Sequence, residues 1–155
     1  MHRKDFLKTG LLLPLLSLTG TIRAAADKGT PDEAEALVRK AAAYIKAHGS
    51  EKGYEELTHG KAFKDRDLYV FVFDFNGKCL AHGANPKLIG KDLMGLKDAD
   101  GKPLVRMTID IAKDKGQGWT APVKFRNPVT DKIQTRVSYI ERLGDTAIGS
   151  GVYQD

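Results

Sequence analysis

His48, His59 and His82 are the side chains best suited to metal or proton chemistry, but they fall in separate segments. None of them sits in a His-Glu-x-x-His pattern or another ligand spacing, so no metal site is expected from them. Ser138 and Ser150 lack the glycine-flanked elbow that exposes a catalytic hydroxyl. Asp98, Asp100 and Gly101 open like a calcium loop, yet the closing glutamate of the EF-hand pattern is missing and a turn explains them better. Cys79 is the only cysteine, which excludes an intramolecular disulfide, Cys-x-x-Cys-His haem attachment and a cysteine zinc cluster. It reads as a small buried hydrophobe. The residues therefore supply no catalytic constellation, no cofactor and no metal ligand set, and the chain is not expected to be an enzyme.

The elements that would position any binding residue are easier to read. Thr30-Pro31-Asp32-Glu33 announces a helix: Thr30 can cap, Pro31 suits the first turn and Glu33 can complete a capping box. Ala34, Leu37, Val38, Ala41, Ala42 and Ile45 then recur at helical spacing until Gly49. An irregular polar stretch with Gly53, His59 and Gly60 leads to Leu68-Tyr69-Val70-Phe71-Val72-Phe73, β-forming on both parities, so both faces of that strand should be covered. Asn76-Gly77 predicts a type I′ hairpin returning through Lys78 to His82. A short helical segment near Leu88 to Met94 and a longer one opening at Pro103 form an insert. Trp119 to Phe125, Ile133 to Leu143 and Ala147 to Tyr153 read as three final strands. This order predicts an α+β domain: a five-stranded antiparallel sheet, the long helix on one face and the insert on the other, with a concave ligand space beneath the insert.

The 155 residues suffice for one domain with a real core. Arg3, Lys4 and Lys8 precede the apolar run Leu11 to Leu16, too short to span a bilayer, and Ala24-Ala25-Ala26 has the small residues a signal peptidase accepts. Residues 1–26 are thus expected to be an export signal cleaved after Ala26, leaving 27–155 as a single periplasmic domain. Arg3-Lys4-Asp5-Phe6-Leu7-Lys8 resembles a twin-arginine signal with lysine as its second basic residue, so that route and ordinary secretion both stay open. No cysteine near the end of this segment suggests a lipid anchor, whereas retention of the segment would tether the domain to the membrane. Residues 1–26 hold four basic residues against one acidic, so only +2 of the formal +5 belongs to the rest. Without a cationic stripe interleaved with aromatic residues, nucleic acid is not an expected partner.

Several motifs in this order resemble the single Cache domains, extracellular sensory modules of bacterial chemoreceptors and kinases. They are Asp67-Leu68-Tyr69-Val70-Phe71-Val72-Phe73-Asp74, Leu80-Ala81-His82, Asn85-Pro86-Lys87-Leu88-Ile89-Gly90-Lys91, Asp98-Ala99-Asp100-Gly101-Lys102-Pro103, Gly118-Trp119, Asn127-Pro128-Val129-Thr130 and Ser138-Tyr139-Ile140. The resemblance implies a PAS-like sheet, a pocket for small molecules such as short-chain carboxylates, and no catalysis. It also implies a membrane receptor or transporter as the partner of a domain that ends at Asp155 without a transmitter. A monomer or weak homodimer is expected.

For such a pocket, Arg106 on the insert helix is the candidate guanidinium, since it can meet a carboxylate with two parallel hydrogen bonds. Trp119 stands where the resemblance places an aromatic wall. Tyr139 shares strand parity with Ile133 and Val137 and is expected to turn inward as a hydroxyl donor. His82 could donate from a neutral imidazole. Lys124 matches a lysine common in similar sequences, although alternation sets it opposite Trp119 unless Pro122 introduces a bulge. The chain departs from the family pattern at Ala121-Pro122-Val123, where a tyrosine is common, at Gly83 for proline, and at Thr135-Arg136-Val137 for Pro-Lys-Ser. These departures bear on the ligand, and a rival reading is an interaction module with a degenerate pocket.

Overall fold

A computed structural model describes residues 27–154. Residues 1–26, expected to be an export signal, lie outside the described residues. Helix α1, Pro31–His48, begins as its cap predicts: Thr30 Oγ1 accepts from Glu33 N–H at 3.3 Å, and Glu33 Oε2 accepts from Thr30 N–H at 2.8 Å. Ala34, Val38, Ala41, Ala42 and Ile45 bury one face. Gly49 (φ 88°) breaks the axis, and the chain re-enters a helix, α2, Ser50–His59. That stretch was expected to be irregular. Its Gly53 lies so close to Ile45 that a Cβ would overlap that side chain, and Leu57 and Thr58 are buried, so packing on α1 overrides a weak local pattern.

Seven strands follow: β1 (Lys64–Asp65), β2 (Leu68–Asp74), β3 (Cys79–His82), β4 (Gln117–Trp119), β5 (Val123–Arg126), β6 (Ile133–Leu143) and β7 (Thr146–Tyr153). All pairings are antiparallel. β3 and the short β1 lie along one edge of β2, β7 joins β2 to β6, and β4 and β5 share the far edge of β6. The five expected strands are all present. The count rises because β1 is added and because the strand expected at Trp119 to Phe125 divides at Thr120 to Pro122, where Pro122 has no N–H for the ladder.

The β2 to β3 turn also differs from expectation. A type I′ turn needs positive φ at both central residues, but of Asn76 and Gly77 only Gly77 (φ 89°) has it. Asp74 Oδ1 instead accepts from Asn76 N–H and Lys78 N–H, both at 2.9 Å, which builds the turn around an aspartate.

Both faces of the sheet are covered, as the two-parity pattern of β2 required. Val70, Val72, Ala81, Tyr139 and Ile148 pack on α1 and α2. Phe71, Phe73, Ile140 and Ala147 pack on helix α3, Leu104–Asp114, through Val105, Ile109 and Ala112. Fully burying each such Val or Ile contributes roughly 1.5–3 kcal/mol. The segment between β3 and α3 forms only a 3-10 turn, Pro86–Leu88, in place of the helix expected near Leu88 to Met94.

Candidate functional site

Between the sheet and the insert lies a small cavity of about 50 Å³, partly open to solvent. Phe71 and Phe73 of β2 form its floor, and Leu88, Leu93, Leu96 and Leu104 its roof. The insert is fastened down over it. Asp98 Oδ1 accepts from Asp100 N–H (2.9 Å) and Lys102 N–H (2.8 Å), while Oδ2 accepts from Lys124 N–H of β5 (2.9 Å). Lys102 Nζ donates to Pro122 O at 2.6 Å. The amides of Lys124, Lys102 and Asp100 hold the Asp98 carboxyl below its usual range. Asp98 is therefore a turn-former and strap, in line with the turn reading of this loop. Among the described residues, no three His, Cys, Asp or Glu side chains gather in a way that could hold a metal.

The polar end of the cavity is made by Arg136 and Ser138 of β6, by His82 at the end of β3 and by Thr120. Arg136 is only 5 % exposed. Its Cζ lies 4.9 Å from the ring centre of Tyr69, 5.3 Å from Phe71, 5.2 Å from Phe125 and 5.6 Å from Tyr153. Four rings suit a delocalised cation better than a point charge. Nε and Nη2 are nevertheless buried without a hydrogen-bond partner. Buried charge in this condition costs several kcal/mol unless an anion meets it.

His82 is 5 % exposed, and its Nδ1 accepts from Asn85 N–H at 2.9 Å. A neutral ring accepting at Nδ1 carries its proton on Nε2, which leaves Nε2–H as the remaining donor. Burial first, and then the nearby Arg136 charge, push the imidazole down to about 4, so the ring is neutral at pH 7. Thr120 N–H donates to Ser138 O (2.9 Å), and Ser138 N–H donates to Thr120 Oγ1 (3.0 Å), which leaves the threonine proton available to a guest.

Of the five side chains singled out in the sequence, only His82 lines this cavity. Arg106 falls on the outward side of α3, exposed, while Val105 and Thr108 turn in. Tyr139 is buried as expected but faces α1, where its hydroxyl donates to Glu141 Oε1 at 2.9 Å. Trp119, 38 % exposed, lies against Tyr139 with ring centres 5.5 Å apart. Lys124 Nζ donates to Thr135 Oγ1 at 2.7 Å, while its neighbours Val123 and Phe125 line the cavity. The break at Thr120 to Pro122 does bring Lys124 to the same face as Trp119, but that face belongs to the helices.

Arg136 was noted only as a departure from the family pattern. Two signals pointed to more: an arginine in the middle of a strand whose sheet is covered on both faces, and Gly149-Ser150-Gly151 in the strand beside it. A Cβ at Gly151 would overlap Arg136 Nε, so this glycine opens the berth for the guanidinium.

An antiparallel sheet with helices on one face and a strapped insert over an aromatic-floored cavity is the architecture of a Cache sensory domain. The model of the family Single Cache domain 2 matches residues 14–155, and the chain belongs to that family, whose domains sense small molecules. Of curated proteins, the chain is similar to the methyl-accepting chemotaxis protein McpP of Pseudomonas putida, 34% identical over 95 residues, 59% of this chain and 17% of that protein. It is also similar to the sensor histidine kinase MctS of Rhizobium johnstonii, 29% identical over 92 residues, 58% of this chain and 20% of that protein. The match thus spans about a fifth of each curated relative. Among solved structures, a methyl-accepting chemotaxis protein from Vibrio parahaemolyticus superposes with TM-score 0.69 at 24% identity, covering 80% of this chain and 88% of that one. A Cache chemosensory domain described for carboxylic acid recognition superposes with TM-score 0.67 at 23% identity, covering 80% and 92%. At these identities the two structures show the shared fold. Among the described residues no helix is long and apolar enough to cross a membrane.

Proposed function

We propose that this domain binds a short-chain carboxylate, or a small polar metabolite with the same anionic end, in the cavity beneath the insert, and that it does so outside the cytoplasm as part of signal reception. The observation that carries the reading is Arg136, a buried guanidinium with two nitrogens lacking partners at the polar end of an otherwise apolar cavity. A carboxylate there would take two parallel hydrogen bonds. Thr120 O–H and the neutral His82 ring offer further donors, and Leu88, Leu93 and Leu96 would enclose a short apolar tail. Among the described residues, the lining holds no Asp, Glu, Cys or Lys side chain, and His82 Nδ1 is already occupied by Asn85 N–H, so the hydroxyls of Thr108, Thr120 and Ser138 have no carboxylate beside them, which supports binding without catalysis. The chemotaxis and kinase relatives support an extracytoplasmic placement and a membrane receptor as the partner. N-terminal sequencing of exported protein should then begin at Asp27.

A thermal-shift panel of acetate, propionate, lactate, pyruvate, amino acids and urea tests the central point. A ligand at about a hundred times its Kd adds about 2.7 kcal/mol to folding stability, a shift of several degrees. At least one acid should produce it, and Arg136→Gln should abolish it. A flat panel for the wild type would favour the interaction module, with α1 as the pairing surface.

A further inference from the structure

Arg136 of β6 pairs with Tyr153 of β7. The β2 to β7 pairing ends at Val70 opposite Ser150, and Asp67 lies in the turn that leads into β2, two residues before Tyr69. Arg136 Cζ lies 5.6 Å from the ring centre of Tyr153, and the charges of both Arg136 and Asp67 act on that phenol. The arginine leans over Gly151 toward the ring of Tyr69, two residues along the chain from Asp67.

Asp67 is as deeply buried as Arg136, at 2 % exposed. Its Oδ1 accepts from Gly29 N–H at 2.7 Å, but Oδ2 has no hydrogen-bond partner. The Tyr153 phenol, whose hydroxyl donates to Arg126 O at 2.7 Å, is raised above its usual range by burial and by Tyr69, with Arg136 opposing and Asp67 adding to the rise, so it senses both charges. A lone buried carboxylate and a lone buried guanidinium would each cost several kcal/mol; close together, they offset one another.

We infer that Asp67 is the internal counter-charge of Arg136, neutralising it in the unliganded domain and competing with the anion that enters the cavity. The inference rests on Arg136 being the anion's partner. An anion approaching Arg136 meets a cation already partly screened by Asp67, so Asp67 sets the affinity below what the arginine alone would give. The opposite sign separates this from a structural role: damage through the lost grip on Gly29 would weaken binding, whereas loss of the competing charge tightens it.

Asp67→Asn keeps the amide-accepting oxygen and removes the charge. Calorimetric titration with propionate should give a Kd lower than the wild type's by roughly threefold or more, the effect of removing one nearby unit charge. An equal or higher Kd in a variant with a native circular dichroism spectrum overturns the inference. A ligand-free cycle decides separately: Asp67→Asn should lower the melting temperature in the wild type, and much less in an Arg136→Gln background. Additive losses overturn it as well. If propionate gives no heat with the wild type, the carboxylate reading falls while the cycle still judges the counter-charge. If Arg136→Gln does not fold, the propionate comparison stands alone.

Discussion

Arg136 Nε occupies the space in which a Cβ at Gly151 would lie. The glycine on β7 is thus part of the site although it offers no functional group, because its missing side chain leaves room for the guanidinium among its four rings. Gly151→Ala forces the arginine to shift or the strands to part. Overpacking of this kind typically costs about 1–3 kcal/mol. The variant should melt lower and bind any stabilising carboxylate at least roughly tenfold more weakly, the effect of misplacing one charge-assisted hydrogen bond. Retained affinity at the lower melting temperature would show that the ligand does not use Arg136.

Tyr139→Phe is the counterpart on the opposite face. Its hydroxyl donates to Glu141 Oε1, itself bridged to Arg39 Nε at 3.3 Å, so this polar cluster ties β6 to α1 and has no part in the cavity. Losing the bond should cost about 1 kcal/mol of stability. Carboxylate affinity should stay at the wild-type value, and a weakened Kd in titration would place Tyr139 in the site after all.

The fold was legible because its strongest signals are local. The Thr30 to Glu33 capping box, the helical spacing of α1 and the apolar run of β2 are each written within a few adjacent residues. Helix α2 was hidden because its stability comes from Gly53 and Leu57 packing on α1, a contact no local pattern announces. The site was less legible for a reason of parity. In β6, Ile133, Val137 and Tyr139 suggested which face was inward, but a sheet covered on both sides has two inward faces. Arg136 and Ser138 face the cavity and Ile140 packs under α3 on the same side, while Tyr139 faces α1 and α2. For Arg106, one helical position separates the cavity-lining Val105 and Met107 from solvent, a distinction finer than spacing alone resolves.

Asp98 holds the insert over the cavity through three backbone amides, one of them from β5. Asp98→Ala releases all three. The amides of Lys102 and Lys124 should then exchange with solvent markedly faster in hydrogen-exchange mass spectrometry, while those of α1 keep their protection. Ligand affinity should fall as the roof loosens. Unchanged exchange at Lys124 would mean that the Lys102 to Pro122 contact suffices to hold the insert.

His82 makes stability depend on pH in a window of its own. In the unfolded chain an imidazole titrates near 6.5, and in the fold it is pushed down to about 4. Above pH 6.5 both states are neutral there, so the residue's contribution is fully present. As pH falls below 6.5 the unfolded chain takes up a proton that the folded domain refuses, and stability drains away until the folded ring also titrates near 4. The total amounts to about 3 kcal/mol. Asp98, whose carboxyl is held low, loses its own contribution only at the acid end of this range and below. Urea unfolding at pH 7.5 and pH 5 isolates the histidine. The wild type should be clearly less stable at pH 5, and His82→Asn, which can still accept from Asn85 N–H but has no proton to gain, should show a much smaller difference. Equal pH dependence in the two proteins would mean that the ring at position 82 is reached by water and protonates freely in the fold.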